Sequence, residues 1–175
     1  MTETTLEESD SEDAARSAAA AASLQLRIAG HFPESFGMRF LSATSELVEA
    51  ELMLRDGHTR SAGVMHGGVV MAFADTLGGA VNIMNVAPDV EWTTIESKTS
   101  FISPGLVGTR LLGKCAPLHR VRRTLVLQTH VTCAEDGRLV AVVTQTHLVM
   151  ERTPPSEQIA KVCPPTNELS RHDWL

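Results

Sequence analysis

The feature that most constrains this chain is its longest apolar stretch, GGVVMAFADTLGGAVNIMNV, from Gly67 to Val86. Apolar residues stand on every side of its helical wheel, which predicts a helix buried all round. Pro88 ends it. As a helix of about 20 residues it would span roughly 30 Å, enough to cross a bilayer. Asp75, Asn82 and Asn85 interrupt it, however, and alternating segments follow. The stretch therefore reads as the core helix of a soluble protein. At 175 residues, the chain has enough length to wrap one such helix in one domain and too little for two ordinary domains.

The remaining periodicity is that of strands. Met38 to Leu54 (MRFLSATSELVEAELML) alternates loosely, and Arg39 to Leu54 reads as one strand, straight or bent. RDGHTRSAG, with Asp56-Gly57, is a turn leading into the helix. After the helix come Thr93 to Ile102, bounded by Ser103-Pro104-Gly105, then Thr109 to Leu118. Arg122 to Ala134 and Arg138 to Met150 follow, joined by the hairpin signal Glu135-Asp136-Gly137. A strand, one long helix and a meander of four strands predict an α+β fold, an antiparallel sheet wrapped on one helix. The acidic and alanine-rich residues 1–23 are expected to be disordered or a frayed helix, and the domain to occupy 24–150. The tail 151–175, with two Pro-Pro pairs, is expected to lie on the surface or be disordered.

Charge and cysteine usage exclude several classes. The formal charge of -6 comes from Glu3, Glu7, Glu8, Asp10, Glu12 and Asp13, without which 15 acidic residues balance 15 basic ones. Such a neutral body gives no reason to expect a nucleic-acid partner, and HRVRR (His119 to Arg123) is too short to change that. Cys115, Cys133 and Cys163 are odd in number with no CxxC, so neither a disulfide framework nor a zinc site is expected. The N-terminus lacks the pattern of a secretory signal. These features predict a cytoplasmic protein with no membrane partner and no metal.

Chemistry concentrates around the helix. An acid in an apolar helix is costly unless paired, hydrogen-bonded or protonated, so Asp75 has a structural or a functional reason to be there. Gly67 and Gly68 follow His66 at the expected helix N-terminus, where unpaired backbone N–H groups and the positive end of the helix dipole face outward. Such an end can hold a developing oxyanion, and glycine lets a carbonyl approach closely. His66 reads as a base or, by preference, as a structural hydrogen-bonder. His66 and Asp75 are two and a half turns apart, about 13 Å along the axis. One subunit cannot easily use both in one site, whereas two copies with antiparallel helices would bring the acid of one to the glycine end of the other.

The arrangement HGGVVMAFADTLGGA, followed by TTIESKTSFISPG (Thr93 to Gly105) and paired strands, resembles the hotdog-fold acyl-coenzyme A thioesterases. The likeness is to the branch of the phenylacetate-pathway and 4-hydroxybenzoyl-CoA thioesterases, and it covers Leu24 to Met150. It implies a long central helix wrapped by a curved antiparallel sheet. It also implies a homodimer that often pairs into a homotetramer, and hydrolysis of acyl-CoA with no cofactor, coenzyme A being part of the substrate. By the same resemblance, Gly67 donates its N–H to the thioester carbonyl while His66 shapes the turn. Asp75 attacks, or activates water, from the partner subunit, and Thr94 helps hold the water. Similar enzymes usually carry Asn or Gln six residues before the histidine; this chain has Arg60, which donates hydrogen bonds, accepts none and stays charged.

Gly68 and Arg60 are therefore expected beside the substrate. Arg120, Arg122 and Arg123 are candidates for the coenzyme A phosphates or are merely solvated. Gly78 and Gly79 point to close helix packing between copies or to room for the acyl group. Two rival readings remain: a module that binds acyl-CoA without hydrolysing it, which Arg60 would favour, and a dehydratase or hydratase, suggested by GHFPES (Gly30 to Ser35). In the preferred reading HFP is a helix stop.

Overall fold

Residues 3–151 are described by the structure, a computed structural model. Strands β1 (Met38–Ala43) and β2 (Val48–Met53) bury Met38, Phe40 and Ala43 on one strand and Val48, Ala50 and Leu52 on the other. They form an antiparallel hairpin, not the single strand read over Arg39 to Leu54. The turn has no Gly or Pro to betray it: the Thr44 hydroxyl accepts from the N–H groups of Glu46 (3.2 Å) and Leu47 (3.0 Å) and closes the chain on itself. A short 3-10 turn (Asp56–His58) follows. The segment expected as a plain turn then carries a two-stranded ribbon, β3 (Thr59–Ser61) with β4 (Val64–Met65), reversing at Ala62 and Gly63, both with positive φ.

The long helix α3 (Gly67–Asn85) lies against a sheet completed by β5 (Val90–Phe101), β6 (Arg110–Val121), β7 (Thr124–Cys133) and β8 (Leu139–Glu151). The strand order is β1-β2-β6-β7-β8-β5, antiparallel throughout. The predicted four-strand meander holds for β6 to β8 only, since β5 crosses to the far edge and pairs with β8 alone. This is the hotdog architecture, a curved antiparallel sheet of six strands around a helix of 19 residues.

The core joins helix and sheet. Val70, Phe73, Ala74, Leu77 and Val81 meet Leu52, Leu111, Leu127, Val131 and Val143. Side chains such as Phe73 and Leu77 each stabilise by about 1.5–3 kcal/mol on full burial. The helix lies so close to β6 that a Cβ on Gly113 would stand 2.5 Å from Leu77 Cδ1 and 2.6 Å from Phe73 Cε1. Burial all round, however, is corrected by the structure. Met71 is 44% exposed, Ile83 is 37% exposed and Asp75 is exposed, so one face of α3 is uncovered in the protomer. Among the described residues α3 is the one helix long and apolar enough to cross a membrane, and half of it is buried inside the fold.

Helix α1 (Glu3–Ile28) runs through the segment expected to be disordered or a frayed helix and continues past residue 23. Its alanine-rich body packs Ala21, Leu24 and Ile28 into the core. The Gln25 amide also caps the outer edge of β1, donating to Met38 O (3.3 Å) and accepting from Phe40 N (2.9 Å). Gly30 at φ 76° and His31-Phe32-Pro33 end the helix as expected, and Phe32–Ser35 forms the one-turn helix α2. The tail beyond residue 151, with Cys163, lies outside the described residues; Cys115 and Cys133 are buried free thiols.

Candidate active site

At the start of α3 the His66 ring turns back and its Nδ1 accepts from the Gly68 N–H at 2.9 Å. His66 is thus the helix N-cap, satisfying one of the donors that a helix leaves open. Glycine at 68 is required for this, because a Cβ there would stand 2.9 Å from Nδ1. With Gly68 engaged, the N–H of Gly67 has no hydrogen-bond partner among the described residues and stands at the positive end of the helix. A Cβ on Gly67 would meet Phe101 Cζ at 2.9 Å. Gly67, Phe101 and Ser103 line a hollow of about 400 Å³ that also holds Arg60, an exposed side chain with no ion pair to Asp75.

Asp75 is on the exposed face of α3, where its Oδ1 accepts from Gln145 Nε2 at 2.8 Å and Thr94 Oγ1 at 3.3 Å. Its Oδ2 takes no hydrogen bond from the described residues. Thr94 on β5 and His147 on β8 are directly paired across the strands and point to one face, so Thr94 Oγ1 also lies 3.3 Å from His147 Nε2. The Asn82 amide bonds Nδ1 of the same ring. Trp92 stacks on it with centroids 5.8 Å apart and planes at 8°. His147 is fully buried, and this burial holds its pKa below the ordinary imidazole value, against the opposing pull of the Asp75 charge. It is therefore neutral at pH 7.

Sequence reasoning passed over Gln145 and His147. The signal was the period-2 pattern of β8, in which Ala141, Val143, Gln145 and His147 take successive buried positions; two polar side chains on a core-facing row need partners. The same two residues explain Gly78, whose added Cβ would stand 2.6 Å from Gln145 Oε1 and 3.0 Å from His147 Cε1. Gly79 makes room for Trp92 in the same way, at 2.9 Å. Both glycines thus have their reason within one protomer.

An apolar cleft of about 270 Å³ opens beside Asp75, walled by Leu24 and Ile28 of α1, Phe40, Ile83 and Trp92. The arginines named from the sequence sit elsewhere. Arg120 is paired with Glu46 (2.8 Å) and donates to Ser45 O (2.7 Å). Arg122 borders a separate recess with Arg123, Val90 and Val149. His31 does not line the Asp75 cleft. Among the described residues no cluster of His, Cys, Asp and Glu is suited to a metal ion.

Residues 62–140, from the β3–β4 turn to the start of β8, match the model of the thioesterase superfamily. A Deinococcus radiodurans protein named as an esterase is 27% identical over 112 residues, 63% of this chain and 73% of that protein. A thioesterase from Haemophilus influenzae superposes with a TM-score of 0.70 at 19% identity, covering 75% of this chain and 90% of its own. A thioesterase protein from Streptococcus pneumoniae, solved with coenzyme A, superposes with a TM-score of 0.61 at 20% identity, covering 70% and 100%. The two solved structures share the wrapped-helix architecture, and the family match spans the glycine end of α3, Asp75 and Thr94. The chain has the hotdog fold of these solved thioesterases, and its residues 62–140 are similar in sequence to the thioesterase superfamily.

Proposed function

We propose that this protein hydrolyses an acyl-CoA thioester to the free acid and coenzyme A, in a site built by two copies of the chain. The observation that carries the reading is Asp75: an exposed carboxylate with one oxygen held by Gln145 and Thr94 and the other free. In this reading the substrate carbonyl sits against the open N–H of Gly67, where the helix end stabilises the oxyanion; one such donor is worth on the order of 10²–10³ in kcat. Asp75 either attacks the carbonyl carbon directly, giving an acyl–aspartyl anhydride that water then hydrolyses to the free acid and Asp75, or takes a proton from an attacking water; in both routes the C–S bond breaks and the coenzyme A thiolate leaves and is protonated. His66 serves as the cap that fixes the Gly67 end. Coenzyme A enters only as part of the substrate.

Sharing between copies follows from spacing, since Gly67 and Asp75 are separated by two turns of one helix, about 12 Å. Strand β5 supports the pairing: it is 12 residues long, has one neighbour, and carries Ile95 and Phe101, each 57% exposed. An open edge of this kind is a template for a second strand. Antiparallel β5–β5 pairing would set the two α3 helices side by side in opposite directions, and a homotetramer would add a second such pair. The Streptococcus pneumoniae relative, solved with coenzyme A, favours a CoA thioester as substrate. Free buried thiols accord with a reducing, cytoplasmic setting.

Thiol release measured over short, medium, long and aromatic acyl-CoAs tests this reading. Activity is expected on some of them and is expected to be lost in Asp75→Ala with the fold intact by circular dichroism. Full activity in that variant refutes it. One observation favours a second reading, a module that binds acyl-CoA without turnover: Arg60, a fixed positive charge, shares the hollow with Gly67. Tight binding with no thiol release on any substrate, and hydrolysis appearing in Arg60→Asn, would establish that alternative.

A further inference from the structure

We infer that His147 is a positioning residue that acts on Asp75 through Thr94: Asn82, His147 and Thr94 form a chain of hydrogen bonds donated in one direction onto Oδ1, presenting Oδ2 to the reaction. The inference rests on Asp75 being the reacting carboxylate. Its polarity is set by the orientation of the Asn82 amide. The Asn82 amide nitrogen, Nδ2, bonds Nδ1 of His147, so Nδ1 accepts and the single ring proton of the neutral imidazole sits on Nε2. Nε2–H then faces Thr94 Oγ1 at 3.3 Å. With one lone pair of the hydroxyl occupied by that donor, its only proton is directed at Asp75 Oδ1, also at 3.3 Å. Gln145 adds a second donor to the same oxygen at 2.8 Å.

The ring has little freedom to leave this arrangement. Trp92 lies flat on it, at 8° between planes, and Gly78 approaches so closely that a Cβ would stand 3.0 Å from Cε1. His147 is directly opposite Thr94 across the β5–β8 pair, and its neighbour on the other side is Leu125 of β7. Among the groups bonded or stacked on the ring, from α3 and β5, none is charged, and Asp75 is the charge that acts on it from beyond Thr94. A buried histidine could be mere filling with its polar atoms satisfied. Here the two donors converge on one oxygen of an otherwise exposed carboxylate, which fixes the rotation of that group about its Cβ–Cγ bond and decides which oxygen is free.

The test is a double-mutant cycle on thiol release, with folding followed by circular dichroism and thermal melting. His147→Leu removes the donor and is expected to lower kcat about tenfold with little change in KM, as for one lost hydrogen bond. His147→Gln, whose amide nitrogen can reach the place of Nε2, is expected to keep most of kcat. In a Thr94→Val background, His147→Leu is expected to add little further loss, because the link it acts through is already gone. Equal losses in the Leu and Gln variants, or losses that multiply in the double variant, would overturn the inference. A measurement on the unmutated protein stands beside these: nitrogen-15 shifts of His147 at pH 7 should report the Nε2–H tautomer, and the Nδ1–H tautomer overturns the chain. An active Asp75→Ala sinks the role of Asp75 on which this inference rests, whereas a dead Asp75→Ala beside a fully active His147→Leu sinks only the role of His147.

Discussion

Gly78→Ala should destabilise this protein, although glycine within a helix is ordinarily the weaker residue. Replacing an interior helical glycine by alanine gains about 1 kcal/mol where nothing obstructs the methyl. At position 78 the methyl arrives 2.6 Å from Gln145 Oε1, well inside van der Waals contact. The Gln145 amide is buried and tied to Asp75 at 2.8 Å, so it can yield only by giving up that bond. A hydrogen bond to a charged group is worth about 1.5–3 kcal/mol, and the exposure of Asp75 puts this one at the low end. Displacement of the neighbouring His147 ring, 3.0 Å from the new methyl, adds an overpacking cost of about 1 kcal/mol. The net loss is then on the order of 1–2 kcal/mol, or a Tm lower by roughly 3–6 °C for a domain of this size. Because the bond lost is one that orients Asp75, thiol release should fall as well, by about tenfold. Thermal melting and steady-state kinetics on the one variant test both halves. An unchanged or raised Tm with full activity would show that Gln145 does not bear on the helix as described.

Other perturbations should read out different parts of the molecule. Ile83→Trp, at the wall of the cleft beside Asp75, should narrow the acyl range by abolishing turnover of the largest acyl groups accepted while sparing the smallest, in a thiol-release panel. His58 and His147 are both held below the ordinary imidazole pKa, His58 by burial and by the nearby Arg55, His147 by burial. Because the unfolded chain binds their protons more readily, stability should be full above about pH 6.5 and fall as pH drops through the lower folded values. Denaturant midpoints at pH 7.5 and 5.5 should show this, with a shallower slope in His147→Gln. Burial pushes the Cys115 thiol up to about 11, so it should resist a thiol-specific reagent in the native state at pH 8 and react on unfolding.

Much of the architecture was legible because it depends on long, regular signals. The apolar run of α3, its HGG start and Pro88 stop, and the hairpin turn at Glu135-Asp136-Gly137 are local patterns with few alternatives. The β1–β2 turn was not legible, because a threonine side chain closes it in place of Gly or Pro. Nor was the position of β5, since which edge a strand joins depends on contacts far along the chain. Apolarity alone overstated the burial of α3: Met71 and Ile83 lie on the uncovered face with Asp75. Asp75 and Gly67 stood out from the sequence itself and Thr94 only through the family resemblance, whereas Gln145 and His147 were masked in a strand read only for its apolar positions.

The crossing of β5 to the far side of the sheet bears on how the molecule acquires its chemistry during folding. The residues around Asp75 come from β5 and β8, which are separated in sequence by the entire β6–β7 hairpin and meet only when the outer strand docks. Local hairpins form first and distant pairings late, because loop closure must precede contact. Helix, meander and most of the core can therefore assemble while Thr94 is still remote from His147. In a refolding time course on a Trp174→Phe background, far-ultraviolet ellipticity should recover ahead of Trp92 fluorescence, whose ring reaches His147 only with that last pairing, and thiol release should recover no sooner than the fluorescence.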